Sequence, residues 1–381
     1  MKHVLRIFSI LLLLSALLLQ PLNALAASFT GESDASSLIL IEAETGTVLY
    51  EKDADTPRPP ASVTKVMTML LVMEALDSGK IKYEDTVTVS EYAANMGGSQ
   101  VYLEAGERMT VHELLKCVVV SSANDAAVAL AEYISGSEEG FVAEMNKRAA
   151  ELGMTRTVFE NTNGLDDTAQ NHVTTARDIA IMSAELITKH PKILEYSSIW
   201  MDSIRGGEFG LTNTNRLIRF YNGANGLKTG STAKAGFCIS ASAERDGMQL
   251  ICVVMAASTR DSRNEIAKKL LDFGFANYRY VEFPANAMET VAVKGSAEAE
   301  LPLYYGEYKA VLEKIGGGEV KAEILLPEYV TAPIKAGDTV GSIRYTLNGE
   351  ALTELPITAA RDLPRITFTA QLLRLIKAML Y

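Results

Sequence analysis

The sequence is poor in the residues that staple small proteins or bind metals. Its 381 residues contain three cysteines, four histidines and one tryptophan. Three cysteines are too few for a disulfide scaffold, and neither they nor the histidines have metal-ligand spacing. We therefore expect no metal and no other cofactor. Cys238 and Cys252 fall on strands that are predicted to pair, so a bridge between them and three buried thiols both fit the sequence.

Long apolar runs are also scarce. The run at residues 7–19 has about 13 residues, whereas a membrane-spanning helix needs about 20. It follows Lys2 and Arg6 and precedes the small residues at 24–26, which is typical of a secretory signal peptide. We therefore predict a signal peptide over residues 1–26, with a retained membrane anchor as the alternative.

A basic excess is absent as well. The formal net charge is −11, and loss of two cations and no acid with the predicted signal peptide makes it −13. This balance argues against nucleic acid as a partner. The composition, 48% hydrophobic and 22% charged, is that of a soluble globular chain of two domains. We expect an exported protein at the outer face of the cytoplasmic membrane, in the cell wall or in the periplasm.

Residues 27–282 predict an α+β domain. A hairpin is expected over residues 38–50, and two apolar strands at 236–243 and 248–256 flank a short turn. Between them lie helical segments, one of which starts at a capping box formed by Thr110 and Glu113. Strands from both ends of the region would form one antiparallel sheet, with the helices packed over it.

Residues 283–365 predict a small all-β domain. Helical periodicity disappears there, and short alternating segments with turn residues take over. Asn348 and Gly349 form the expected tight hairpin turn. We find nothing catalytic in this region and expect it to act as a spacer or in recognition. Its clearest predicted strands are residues 291–293, 320–326, 339–347 and 351–357.

Residues 366–381 predict a basic amphipathic helix. Arg374 and Lys377 lie off its apolar face, and the stretch from residue 367 contains no acid. Such a helix would lie on an anionic membrane surface rather than cross the bilayer. Docking of the helix on its own domain is the alternative. The residues predicted to share the apolar face are Phe368, Leu372, Leu375, Ile376 and Met379.

A serine and a lysine, three residues apart, open the helix predicted after the proline pair at 59–60. Ser62 and Lys65 would share one helix face, and the helix amino end would favour negative charge near Ser62. A serine hydroxyl needs a base, but a free lysine with a pKa of about 10.4 is protonated. We expect burial near Lys228 to lower the pKa of Lys65, so that Lys65 can accept the serine proton.

Two further motifs follow in a fixed order. Ser122-Ala-Asn124 interrupts a predicted helix, and Lys228-Thr-Gly230 begins a predicted strand. Each is common alone, but together they resemble the penicillin-binding proteins and class A β-lactamases. Over essentially the whole chain the sequence is similar to the low-molecular-weight D-alanyl-D-alanine carboxypeptidases, peptidase family S11, although Ala123 replaces the usual glycine. The most similar segments are residues 60–68, 122–126, 161–165, 175–178, 225–232 and 268–275.

The resemblance implies a β-lactamase/DD-peptidase-like catalytic domain. It also implies an enzyme that removes the terminal D-alanine of the peptidoglycan stem pentapeptide through an acyl-enzyme at Ser62, and that β-lactams inhibit covalently. Ser122 would relay a proton to the departing D-alanine, and Asn124 would hold Lys65 and the substrate amide. The backbone N–H groups of Ser62 and Ser231 would stabilise the oxyanion.

A carboxypeptidase must also bind the free carboxylate of its substrate. Lys228 and Thr229, with Gly230 and Ser231 beside them, are the first candidates. Three arginines, each of which could equally be an ordinary surface residue, are weaker ones: Arg216, Arg260 and Arg263.

Two other functions remain open. A serine β-lactamase would need a dedicated carboxylate for deacylation, and Glu160 is the one candidate, which we interpret as a surface residue. A catalytically silent wall-binding homologue is the second alternative, although all three motifs are intact.

Overall fold

In a computed structural model of the chain, the residues described are 29, 34–167, 169–315 and 317–380. The predicted signal peptide lies outside them. The first region, up to residue 277, contains nine strands: β1 (Ser37–Glu42), β2 (Val48–Lys52), β3 (Thr86–Thr88), β4 (Arg108–Thr110), β5 (Met201–Ile204), β6 (Phe209–Thr212), β7 (Ala224–Thr232), β8 (Gly236–Arg245) and β9 (Met248–Ala257).

The helices of this region lie between and after those strands. They are α1 (Lys65–Asp77), α2 (Glu91–Ala94), α3 (Val111–Lys116), α4 (Asn124–Ser135), α5 (Glu138–Glu151), α6 (Ala176–Lys189), α7 (Ile193–Ser197), α8 (Leu217–Phe220) and α9 (Arg260–Asn277). Short 3₁₀ helices occupy Ala61–Thr64 and Arg205–Gly207, and a π-helical turn occupies Cys117–Ser121. The predicted capping box is present, since Thr110 and Glu113 bond reciprocally at the start of α3.

An antiparallel five-stranded sheet in the order β2-β1-β9-β8-β7 divides the first region into two layers. Successive side chains of a strand point to opposite faces. Ile39 and Ile41 of β1 therefore join the large core beneath α1, α4 and α6, whereas Leu38 and Leu40 join a second core under α9. The α+β fold class predicted from the sequence is confirmed.

Helix α1 is buried more completely than its sequence pattern predicts. Apolar residues recur at helical spacing along this segment, which predicts one buried face, but every residue from 65 to 73 is buried. The reason is that α1 packs against α4, α5, α6 and β7, so that it lies at the centre of the domain. A helix that is apolar on all sides is typical of such a position.

The second region is all-β, as predicted. The strands are β10 (Tyr278–Phe283), β11 (Asn286–Lys294), β12 (Glu300–Tyr305), β13 (Tyr308–Glu313), β14 (Val320–Leu325), β15 (Tyr329–Thr331), β16 (Thr339–Leu347) and β17 (Glu350–Ala359). A six-stranded sheet has the order β14-β16-β17-β12-β11-β15, and β10 pairs with β13. Strand β10 runs across residue 282, where we placed the domain boundary. Both central residues of the turn at Asn348 and Gly349 have positive φ, as a tight hairpin turn requires.

A terminal helix, α10 (Phe368–Leu380), ends the chain. The described members of its apolar face are 45% to 85% exposed, so this face does not dock on the rest of the protein. Within the described part of the chain, no helix has the length and apolar character needed to cross a membrane. All three cysteines are buried and free, including Cys238 and Cys252.

Candidate active site

Ser62 lies in a separate 3₁₀ turn, Ala61–Thr64, that leads directly into α1. The sequence predicted Ser62 inside the first turn of the α-helix, whereas the α-helix begins three residues later, at Lys65. Ala61 has a φ of +49°, a conformation that L-residues rarely adopt and that persists only where neighbours hold it. Ser62 is therefore presented at the amino end of the central helix.

Lys65 is fully buried, and its Nζ has three oxygen neighbours. These are Ser62 Oγ at 3.1 Å, Asn124 Oδ1 at 2.5 Å and the carbonyl oxygen of Asn163 at 2.9 Å. A neutral amine has two N–H bonds and one lone pair. The amide and carbonyl oxygens can only accept, so they take the two N–H bonds and leave the lone pair facing the Ser62 hydroxyl.

The electrostatics of this position favour the neutral amine. Burial lowers the pKa of Lys65 well below its ordinary value, and the nearby cation of Lys228 lowers it further, whereas Asp125 acts in the opposite direction. These are the two effects that the sequence analysis anticipated. Both effects shift Lys65 toward the neutral form that a base requires.

Asn124 is held so that its oxygen, not its nitrogen, faces Lys65. Its Nδ2 donates to the carbonyl of Gly97 at 2.7 Å, which leaves Oδ1 for the lysine. The next residue, Asp125, is fully buried and accepts the backbone N–H groups of Val101 and Leu103, each at 3.1 Å. The first turn of α4 thus ties the loop at 97–103 to the site.

Ser122 follows the π-helical turn at the end of α3. Its backbone is left-handed, with φ of 64° and ψ of 27°, and α4 begins two residues later. Only Ser122 and Ala123 therefore separate the two helical segments, and Asn124, which the sequence analysis placed in the interruption, is the first residue of α4. Ser122 is buried to 4% exposure, yet it lines the same cavity as Ser62.

Strand β7 forms the opposite wall of the site. Lys228 is fully buried and donates to the carbonyl of Thr229 at 2.9 Å. Burial and the charge of Arg263 lower the pKa of Lys228 to about 7. A Cβ at Gly230 would lie 2.7 Å from the backbone nitrogen of Ser62, so only glycine allows β7 to approach the serine turn this closely.

The serine, the second motif and β7 open onto one cleft of about 480 Å³. All three candidate arginines line it: Arg263 is buried and bonded to the Cys238 carbonyl and to Asn264, whereas Arg216 and Arg260 are exposed. Among its described lining residues none is acidic, so the cleft is cationic in an acidic protein. The lining residues are Ser62, Ser99, Ser122, Trp200, Thr212, Asn213, Thr214, Arg216, Thr229, Gly230, Ser231, Arg260 and Arg263.

The loop at 161–165 supplies contacts that residue types alone did not predict. Asn163 holds Lys65 through its backbone carbonyl, which any residue could provide. Gly164 has a φ of +84°, and a Cβ there would lie 1.8 Å from the carbonyl oxygen of Ala61. Trp200 in the cleft wall was also missed. The one available signal was the family-like segment at 161–165.

Glu160 lies outside the cleft, as we interpreted it. Its side chain is exposed, and its carboxylate accepts the backbone N–H groups of Gln170 and Asn171 at 2.7 and 3.1 Å. It is not among the residues that line the cavity with Ser62.

Comparison with known proteins agrees with this geometry. Residues 23–259 match the family model of D-alanyl-D-alanine carboxypeptidase, peptidase S11, and residues 284–365 match that of the penicillin-binding protein 5 C-terminal domain. The chain is 45% identical to the D-alanyl-D-alanine carboxypeptidase DacF of Bacillus subtilis (strain 168), over 90% of this chain and 89% of that protein.

Solved structures give the same result. Penicillin-binding protein 5 from Haemophilus influenzae superposes with a TM-score of 0.77 at 31% identity, covering 89% of this chain and all of that one. Penicillin-binding protein D2 from Listeria monocytogenes, in its ampicillin-bound form, superposes with a TM-score of 0.57 at 33% identity, covering 65% of this chain and all of that one. The chain belongs to the peptidase S11 family of D-alanyl-D-alanine carboxypeptidases.

Proposed function

We propose that this enzyme removes the terminal D-alanine from peptidoglycan stem pentapeptides through an acyl-enzyme at Ser62. The observation that carries the proposal is the position of Lys65, whose Nζ lies 3.1 Å from Ser62 Oγ while two fixed oxygens occupy its N–H bonds. This arrangement supports the proposal, because it places beside the Ser62 hydroxyl a group that can accept its proton, as acyl transfer needs.

In the first step, Ser62 Oγ forms a bond to the carbonyl carbon of the penultimate D-alanine. The hydroxyl proton passes to the lone pair of Lys65. The carbonyl oxygen becomes an oxyanion, which the backbone N–H groups of Ser62 and Ser231 stabilise. The contact of Gly230 with the serine turn supports this assignment, because it brings the end of β7 beside the nucleophile.

In the second step, the bond from the carbonyl carbon to the leaving nitrogen breaks. The nitrogen takes a proton relayed from Lys65 through Ser122, and D-alanine departs. Water then attacks the carbonyl carbon of the ester and gives a proton to Lys65. The bond between that carbon and Ser62 Oγ breaks, Oγ takes the proton from Lys65, and the shortened peptide departs. Asn124 holds Lys65 in place throughout and binds the substrate amide.

The substrate carboxylate is held by the cationic side of the cleft. We assign Lys228 and Thr229 to it, with Arg216 and Arg263 of the cleft lining as further cations. A carboxylate beside Lys228 would raise the pKa of that lysine and keep it charged. A peptide without a free carboxyl terminus would leave these cations unpaired, which gives the cleft its preference for chain ends.

β-Lactams are the expected covalent inhibitors. Their ring amide would present its carbonyl to Ser62, and their separate carboxylate would meet the same cations; the ampicillin-bound relative supports this assignment. The β-lactamase alternative is disfavoured, because Glu160 binds its own loop and the described lining of the cleft has no acid. A catalytically silent homologue would not need the arrangement of contacts around Lys65.

The test uses residues 27–381 with a diacetyl-Lys-D-Ala-D-Ala peptide and a labelled penicillin. We expect release of free D-alanine and a covalent adduct at Ser62, and neither with Ser62→Ala. Absence of both products in the unsubstituted protein would contradict the proposal. Rapid penicillin turnover without peptide hydrolysis would favour the β-lactamase instead.

We also propose that the enzyme is exported and rests on an anionic membrane surface through α10. The exposure of the apolar face of α10 supports this, since a docked helix would bury that face. Vesicles that contain anionic lipid should retain residues 27–381 but not a form that ends at Arg365. Equal retention of the two forms would contradict the anchor.

A further inference from the structure

His172 lies behind the Ser62 turn and has no part in the mechanism above. It is 7% exposed. Its Nε2 lies 2.7 Å from the hydroxyl of Thr64, and its Nδ1 lies 3.0 Å from the backbone nitrogen of Glu160. The ring of Phe159 packs edge-on against the imidazole, with ring centroids 5.7 Å apart. Both ring nitrogens are thus paired, in a position that solvent hardly reaches.

The partners of the imidazole define its tautomer. A backbone N–H can only donate, so the N–H of Glu160 makes Nδ1 an acceptor and places the ring proton on Nε2. Nε2 then donates to Thr64, whose hydroxyl in turn donates to the carbonyl of Ala61 at 2.8 Å. This series of hydrogen bonds ends on the residue that precedes the nucleophile.

Residues between α5 and α6 contact both halves of the acylation pair. In the loop at 161–165, Asn163 accepts from Lys65 and Gly164 packs against the Ala61 carbonyl, and further along the chain His172 reaches Thr64. Ala61 has the unusual φ of +49°, which its surroundings must maintain. His172 therefore lies between the contacts that hold Lys65 and the contacts that hold the Ser62 turn. A misplacement of either partner by about 1 Å can cost about 100-fold in rate.

We propose that His172 is a positioning residue for acylation, acting through Thr64 to fix the Ser62 turn against the loop that supports Lys65. This inference rests on the proposed function, because the step that it serves is the acylation of Ser62. The competing explanation is that His172 only fills space in the core. The two explanations differ in whether the hydrogen bond to Thr64 matters once the protein is folded.

Two substitutions of His172 test the hydrogen bonds of its two ring nitrogens separately. The amide of Asn in His172→Asn reaches the place of Nδ1 and can still accept from Glu160, but it is too short to reach Thr64. The longer amide of His172→Gln reaches the place of Nε2 and can restore the bond to Thr64. A second pair makes the same distinction from the other side, since Thr64→Val removes the hydroxyl and Thr64→Ser keeps it.

The measurement is the rate constant for acylation of Ser62 by a labelled penicillin, together with the dissociation constant of the preceding complex. Active-site titration counts the folded enzyme, so that lost stability does not count as lost rate. We expect His172→Asn and Thr64→Val to acylate about 10-fold to 100-fold more slowly with an unchanged dissociation constant, and His172→Gln and Thr64→Ser to remain within about threefold. The double variant His172→Asn/Thr64→Val should lose no more than either alone.

Other outcomes would overturn the inference. Wild-type rates in His172→Asn, equal losses in the Asn and Gln variants, or additive losses in the double variant would show that the imidazole only fills space. Should His172→Asn fail to fold, the Thr64 pair decides the question alone. Equal acylation rates for Thr64→Val and Thr64→Ser would then contradict the inference. An unsubstituted enzyme that is not acylated at all would instead refute the proposed function.

Discussion

The two regions of this enzyme bury different kinds of residue. The first region buries Lys65, Lys228, Asp125 and Arg263 around the cleft. In the second region, among the residues described, Ser296 is the only buried polar side chain, and the core consists of residues such as Leu303, Ile343 and Tyr345. Burying a charged group is costly unless partners compensate for the lost hydration.

The difference shows what burial does in each region. Around the cleft, burial changes chemistry, because it lowers the pKa of Lys65 well below its ordinary value and the pKa of Lys228 to about 7. In the second region, burial of apolar side chains contributes only stability. Substitutions should therefore affect acylation strongly in the first region and hardly at all in the second, and the following predictions test that contrast.

The largest effect is expected for Lys65→Arg. A guanidinium cannot lose its proton in a protein, so it cannot act as the base for Ser62. Acylation by penicillin should fall at least about 1000-fold. The matched control is Lys335→Arg, an exposed lysine of the second region, which should acylate at the normal rate. Retention of more than a tenth of the rate in Lys65→Arg would mean that another group is the base.

A smaller effect is expected for Lys228→Met, which keeps the bulk of the chain but removes the charge. Because the cation of Lys228 lowers the pKa of Lys65, its loss should raise that pKa. The acid limb of the acylation rate against pH should move to higher pH, with a loss of about 100-fold at pH 6. An unchanged acid limb would show that the two lysines do not interact.

His172 predicts a pH dependence of stability. Burial lowers its pKa from 6.5 to about 4, with the acidic Glu160 acting in the opposite direction. The neutral ring is favoured in the fold, so its contribution is complete above pH 6.5 and is lost as the pH falls through 4. This loss amounts to about 3 kcal/mol. Urea unfolding between pH 7 and pH 4 should show a steeper decline for the unsubstituted protein than for His172→Gln; parallel declines would contradict the assignment.

The smallest effect on acylation is expected for Tyr345→Ala. This side chain is almost fully buried and packs with Phe283 and Tyr308. Its loss should destabilise the second region by about 3 kcal/mol, visible as an earlier transition in calorimetry. The acylation rate should stay within twofold. A large loss of rate would show that the second region shapes the cleft.

The sequence predicted the residues that carry the chemistry of the site better than the residues that hold them in position. The spacing and order of the three motifs indicated which residues to group, and the structure brings Ser62, Lys65 and Lys228 together. The sequence could not indicate Asn163, because that residue acts through a backbone carbonyl. Nor could it pair His172 with Thr64, since the two lie 108 residues apart and meet only through the fold.

The predicted strands do not include β12, because its composition breaks a local rule for strands. Strand β12 contains Pro302, which normally argues against a central strand. In the structure, the pairing register of β11 shifts between Met288 and Val291, opposite Pro302, so the missing N–H falls at an irregularity of the ladder. The apolar spacing of helix α1 predicts one buried face, because sequence periodicity cannot reveal that three other helices cover it.

The arginine-lined cleft also bears on how the enzyme meets its ligands. The molecule has a formal charge of −11, so most of its surface repels an anion, whereas the opening of the positive cavity attracts it. Such a field guides diffusing carboxylates toward the opening before any contact is made, and dissolved salt weakens it. The capture of a substrate is thus sensitive to ionic strength, whereas the acylation that follows inside the buried site is not.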